Sequence, residues 1–193
     1  TINRHYDMAN YNSNKLRNNL IMYFKPYIIN KLINNNKYED YLVIHLRGGD
    51  ALGKWTQETW RPSPLPFEFY RDVIDKSGLK KILIVTTPPK NGIRHPMIKP
   101  LQKNYDVKVQ HGSIIEDFSI LINCTNLVLD FSTFGYCAAC MNTNLKMIFL
   151  NKFKDKNNIA LLNDIESDVG FTIPKIKNCD VYIYDYPNTF IQK

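Results

Sequence analysis

Short continuous apolar runs alternate with segments of helical spacing through the middle of this chain. Tyr41–Leu46 (YLVIHL) and Lys81–Thr86 (KILIVT) have no polar alternation, the pattern of strands covered on both faces. Val107–Val109, Asn126–Asp130 and Lys146–Leu150 read as further strands of the same kind. Between them, Pro66–Ser77 places Phe67, Tyr70, Val73 and Ile74 on one helical face. A second helix opens at Ser113-Ile-Ile-Glu116, where a Ser three residues before a Glu forms a capping box. A third runs from near Ser132 to about Met141. Upstream, Leu16, Leu20, Tyr23, Phe24, Tyr27 and Leu32 recur at helical spacing over Ser13 to about Asn35. Beyond Asn151 the pattern weakens, with Val181–Tyr184 reading as an edge strand.

Strands alternating with helices imply parallel pairing by right-handed crossovers and a sheet covered on both sides. The expectation is an α/β fold: a doubly wound, mostly parallel, Rossmann-like sheet. We read one domain over residues 1–193, with a helical segment at 1–40, a core at 41–150 and a C-terminal extension at 151–193. Ligands of such sheets bind outside the carboxyl ends of the strands, so the loops starting at Arg47, Thr86 and Asp130 should share one edge.

Composition narrows the classes. At 193 residues, 44% hydrophobic and 22% charged, the chain suits a folded globular domain. Its net charge of +7 is compatible with nucleic acid, an anionic membrane surface or a phosphorylated small substrate. No Lys/Arg run exceeds two residues, and the cations are scattered, so nucleic acid is not an expected partner. No apolar run approaches the roughly 18 residues that cross a bilayer, and no signal peptide opens the sequence. A cytoplasmic, soluble chain is expected, with room for an upstream anchor or additional domain because numbering begins at Thr1 without a Met. Cys124, Cys137 and Cys140 fall in apolar stretches and read as core thiols; the Cys137–Cys140 pair has no second motif to complete a zinc site. No metal is expected. The sequon at Asn123 lies in a stretch predicted to be buried.

Two segments carry candidate chemistry. His45-Leu-Arg-Gly-Gly-Asp50 follows a buried strand, placing a guanidinium, two glycines and a carboxylate at the ligand edge. Arg47 offers a fork of donors matched to phosphate oxygens, while Gly48 and Gly49 let a backbone approach closely. The alternative is a plain strand-to-loop turn with an Arg–Asp surface pair. Asp130-Phe-Ser-Thr-Phe-Gly135 runs from a strand into a helix rich in small residues, where unpartnered first-turn amides favour an anion. Ser132 or Thr133 could equally cap that helix, a role compatible with phosphate binding.

HLRGGD at 45–50, followed by EDFSILINCTNLVLDFSTFGYCAACMNTNLKMIFL over 116–150, resembles the catalytic half of α1,2-fucosyltransferases and their relatives. The likeness covers about half the chain and is more specific in its second block. It implies a GT-B-type nucleotide-sugar-binding domain, a GDP-sugar donor such as GDP-fucose, a glycan acceptor, inverting transfer and no required metal or other cofactor. By that resemblance Arg47 neutralises the β-phosphate, Ser132, Thr133 and Phe134 lie beside the diphosphate, and Asp117 contacts the nucleoside. Gly48 stands where many relatives have a second Arg, Gly135 where the run has Ser, and Tyr136-Cys137 where they often have two Trp.

For the acceptor hydroxyl a general base is needed, and Asp50 and His45 are the local candidates; both also suit structural roles. The segment Trp55–Tyr70, with Trp55, Trp60, Arg61 and three prolines, reads as a loop that either binds sugar or anchors the core. His95 and His111 are expected to be solvated. A non-catalytic nucleotide-sugar or carbohydrate-binding module derived from such an enzyme is the competing reading.

Overall fold

A computed structural model describes residues 38–48, 52, 64–89, 94–130, 132–151 and 179–186. Its strands are β1 (Tyr41–Leu46), β2 (Lys81–Thr86), β3 (Val107–Gln110), β4 (Asn126–Leu129), β5 (Met147–Asn151) and β6 (Asp180–Tyr184). The helices are α1 (Phe67–Ser77), α2 (Ile98–Asn104), α3 (Ile114–Asn123) and α4 (Thr133–Met141).

The six strands form one sheet in the order β3-β2-β1-β4-β5-β6, with every pairing parallel. Apolar runs without alternation become the inner strands because both of their faces are buried: Leu42, Val43, Ile44 and Leu46 of β1 are fully covered. Side chains of one strand divide between two cores. Leu42, Ile44 and Leu46 join Phe69, Tyr70, Val73 and Ile74 of α1 with Ile98 and Leu101 of α2. Val43, Leu83, Val85 and Leu127 meet α3 and α4 on the opposite side. This is the doubly wound, Rossmann-like α/β fold.

Three of the described helices, α1, α3 and α4, take their predicted places. Ser113 Oγ accepts from the Glu116 amide at 3.3 Å while the Glu116 carboxylate accepts from the Ser113 amide at 2.8 Å, the capping box of α3. In α1, Phe69 is buried together with Tyr70, Val73 and Ile74, a core residue the helical pattern did not single out. No helix was expected between β2 and β3. The short α2 buries only Ile98 and Leu101 and carries Pro100 in its first turn, so neither period nor composition announced it. Proline is tolerated there because a first-turn amide has no helical partner.

The expected edge strand near Val181 forms, extending to Asp180–Tyr184 on the outside of β5. The stretch around Asn123 is buried, as are Cys124 and Cys140. The helix expected over Ser13 to about Asn35 lies outside the described residues, as do Trp55, Trp60 and Arg61. Among the described residues no helix is long and apolar enough to cross a membrane.

Strand order reverses direction between β1 and β4, since the chain builds β2 and β3 to one side and β5 and β6 to the other. In doubly wound sheets the crossovers part at such a reversal, and ligands bind there, outside the carboxyl ends of the strands.

Candidate functional site

Register brings the candidate loops together. His45 pairs with Val85 and Leu129, and Leu46 with Thr86, so β1, β2 and β4 end at nearly the same height. Asp130 then ties two of the ends: its amide donates to the His45 carbonyl at 3.2 Å, and its carboxylate accepts from the Arg47 amide at 3.2 Å. Thus the backbone of Arg47 is held at the reversal point by a residue on the neighbouring strand.

Gly48 packs tightly beside β2. A Cβ there would stand 2.3 Å from Thr87 Oγ1 and 3.3 Å from Thr86 Oγ1. The second Arg that many α1,2-fucosyltransferases carry at this position would require Thr87 to turn away. Gly49 and Asp50 lie outside the described residues.

Ser132 caps α4, its hydroxyl accepting from the Gly135 amide at 3.3 Å. The Tyr136 amide bonds back to the Ser132 carbonyl at 2.9 Å, whereas among the described residues the amides of Thr133 and Phe134 have no partner. Capping therefore coexists with two open donors at the positive end of the helix dipole. Gly135 allows the first turn of α4 to settle on the sheet: a Cβ would stand 2.9 Å from Leu129 Cδ2 and 3.0 Å from His45 Nδ1. A serine there, as in the fucosyltransferase run, would press on both.

Phe134 links the remaining pieces. Its ring lies 5.9 Å from that of His45 and 5.2 Å from that of Phe118. Phe118 follows Asp117, so the openings of α3 and α4 face one another beside the end of β1. Asp117 is buried, and its Oδ1 accepts from the Gly112 amide at 3.2 Å, bracing the turn between β3 and α3. Burial raises its carboxyl pKa, opposed in part by that amide.

His45 is buried, and its Nδ1 has no hydrogen-bond partner among the described residues. Burial first, then the charges of Arg47 and His95, lowers its pKa to about 4. The ring is uncharged near neutrality and a weak proton acceptor. His95, expected to be solvated, is instead only 4% exposed, because the turn before α2 folds it inward; its pKa is likewise about 4 through burial. His111 is exposed as expected, its Nδ1 3.4 Å from the Thr86 carbonyl oxygen.

Thr86, expected to open a loop at this edge, does so, and two residues that were not expected here join it: Thr87, and Tyr70 from the core face of α1. Thr86 Oγ1 and the Tyr70 hydroxyl are buried without partners among the described residues. Burial and the nearby Asp130 carboxylate hold the Tyr70 hydroxyl well above its ordinary pKa. A polar residue closing an apolar strand, as at Thr86, was the available signal. Among the described residues no three His, Cys, Asp or Glu side chains gather as a metal site.

No protein-family model matches this sequence, and no curated protein matches it either.

Proposed function

We propose that this chain is the donor-binding domain of a glycosyltransferase that takes a nucleotide diphosphate sugar, with a GDP-sugar such as GDP-fucose as the donor and a glycan hydroxyl as the acceptor. One observation carries the reading. At the strand-order reversal, Arg47, the side-chain-free Gly48 and the opening turn of α4 with its two open amides all follow the carboxyl ends of the adjacent strands β1 and β4. That combination suits a diphosphate: a cation, a close backbone approach and preorganised N–H donors.

Breaking a glycosyl–phosphate bond leaves negative charge on the departing nucleotide while positive charge develops on the sugar. Groups already aimed at the diphosphate stabilise that separation without reorganising. In this reading Arg47 neutralises the β-phosphate, and the Thr133 and Phe134 amides donate hydrogen bonds to the remaining oxygens. Ser132 keeps the turn in place. Asp117, braced by Gly112, faces the nucleoside side. The acceptor proton passes to a base, for which Asp50 in the HLRGGD motif is the carboxylate candidate and His45 the weaker one. Transfer is inverting and independent of a metal ion.

Calorimetric titration with GDP, UDP and GDP-fucose, with and without chelator, tests the proposal. Selective GDP binding that survives chelation and weakens about tenfold to a hundredfold in Arg47→Ala is expected, since the variant loses a charge-assisted contact. A folded wild-type chain that binds no nucleotide would sink the donor site and favour a carbohydrate-binding module.

A further inference from the structure

A carboxylate follows the apolar strand β4 directly: Asp130 comes after Asn126–Leu129 and is only 9% exposed. Taking a carboxylate out of water costs stability unless hydrogen bonds or charges compensate, so a buried Asp calls for a reason. An apolar residue would continue the strand at no such cost.

Its bonds supply the reason. The Asp130 amide donates to the His45 carbonyl at 3.2 Å, and Oδ2 accepts from the Arg47 amide at 3.2 Å, across 83 positions of sequence. In a parallel ladder continued by one residue, the Arg47 amide would donate to the main-chain carbonyl of Asp130. Here the carboxylate accepts it, so the side chain of Asp130 sets where Arg47 stands as the chain leaves the sheet. The next residue is held from the other side, since a Cβ on Gly48 would collide with Thr87 Oγ1 on the chain leaving β2. Arg47 is thus fixed between the ends of two neighbouring strands, β4 through its amide and β2 through Gly48.

We propose that Asp130 is the positioning residue for Arg47 in donor binding, a role that rests on the glycosyltransferase reading above. Through the Arg47 amide it fixes the point from which the guanidinium reaches the diphosphate, and it touches neither phosphate nor sugar itself. The role needs a hydrogen-bond acceptor and not a negative charge, because a carboxylate near a diphosphate repels it. Asp130→Asn therefore keeps the part that matters, whereas Asp130→Ala loses it.

GDP titrated calorimetrically into the full chain tests this as a double-mutant cycle. Asp130→Ala is expected to weaken GDP about tenfold, and Asp130→Asn to stay within about threefold of wild type. In an Arg47→Ala background, Asp130→Ala should cost less than about twofold, because no guanidinium is left to position. A residue that merely stabilised the fold would cost the same in both backgrounds. Urea unfolding checks that each variant is folded; if Asp130→Ala shows no cooperative transition, Asp130→Leu, similar in size and without an acceptor, replaces it in the cycle. Wild-type affinity in the variant lacking the acceptor, an undiminished loss in the Arg47→Ala background, or an Asp130→Asn as weak as Asp130→Ala would overturn the role while leaving the donor reading standing. A folded wild-type chain that binds no GDP would remove the donor reading, and this role with it.

Discussion

The two ends of the parallel strands treat buried polar groups in opposite ways. At the amino end, Thr125 and Asn126 bond the Glu39 carbonyl at 2.9 and 3.1 Å, and Asn126 reaches the Tyr41 carbonyl at 3.3 Å. Asn142, almost fully buried after α4, donates to the carbonyls of Leu121 and Cys124 at 2.9 and 2.7 Å and accepts from the Asn144 amide. At the carboxyl end, His45 Nδ1, Thr86 Oγ1, the Tyr70 hydroxyl and His95 Nε2 are equally buried yet have no partners among the described residues. A polar group that is buried and satisfied stabilises the fold; one that is buried and unsatisfied costs stability and points to something else that bonds it. The contrast sets the carboxyl end apart from the amino end independently of any resemblance.

Acid should expose the contrast most strongly. His45 and His95 have pKa values of about 4 in the folded chain against an ordinary 6.5, so between those values the unfolded chain binds more protons. Their contribution is intact above about pH 6.5 and is lost as pH falls towards 4, together on the order of 5 kcal/mol. Urea midpoints measured at pH 7, 5.5 and 4.5 should fall accordingly, and a flat profile would refute the buried, neutral state of the rings. Asn142→Ala comes next, at about 3 kcal/mol, because it strands two buried carbonyls; denaturant unfolding at pH 7 reads it. The finest test pairs two threonines. Thr125→Val, which removes a bonded hydroxyl, should destabilise by about 1 kcal/mol, whereas Thr86→Val, which removes an orphaned one, should stabilise by about as much. Losses of equal size at both positions would erase the distinction between the two ends.

Much of the fold was legible. The apolar runs at Tyr41–Leu46 and Lys81–Thr86 became strands over those same residues, and the Ser113–Glu116 box opens α3. These signals are local: a doubly buried strand must be apolar throughout, and a cap must lie three residues from its partner. What failed was also local in cause. α2 has seven residues with two buried, too few to establish a period. His95 sits among Arg94, Pro96 and Lys99, neighbours that suggest solvent, yet the turn at Pro96 and Met97 carries it inward. Phe69 and Phe67 lie two apart in one aromatic stretch, and packing against Tyr184 and Tyr186 brought Phe69 into the core. Of the candidate site, Arg47, Gly48, Ser132 and Thr133 were readable as motif residues, while Asp130 as the tie to the Arg47 amide and Thr87 as the neighbour of Gly48 were not.

By itself the sequence determined the alternation of strands and helices, the parallel sheet and the edge at which ligands are expected, because periodicity, capping and crossover geometry act over a few residues or a single unit. Only the tertiary structure decided the strand order, the place where it reverses, and which buried polar atoms have partners. Those depend on residues some 40 to 85 positions apart meeting across the sheet, as Arg47 meets Asp130 and Asn126 meets Tyr41, and no local pattern encodes such a meeting.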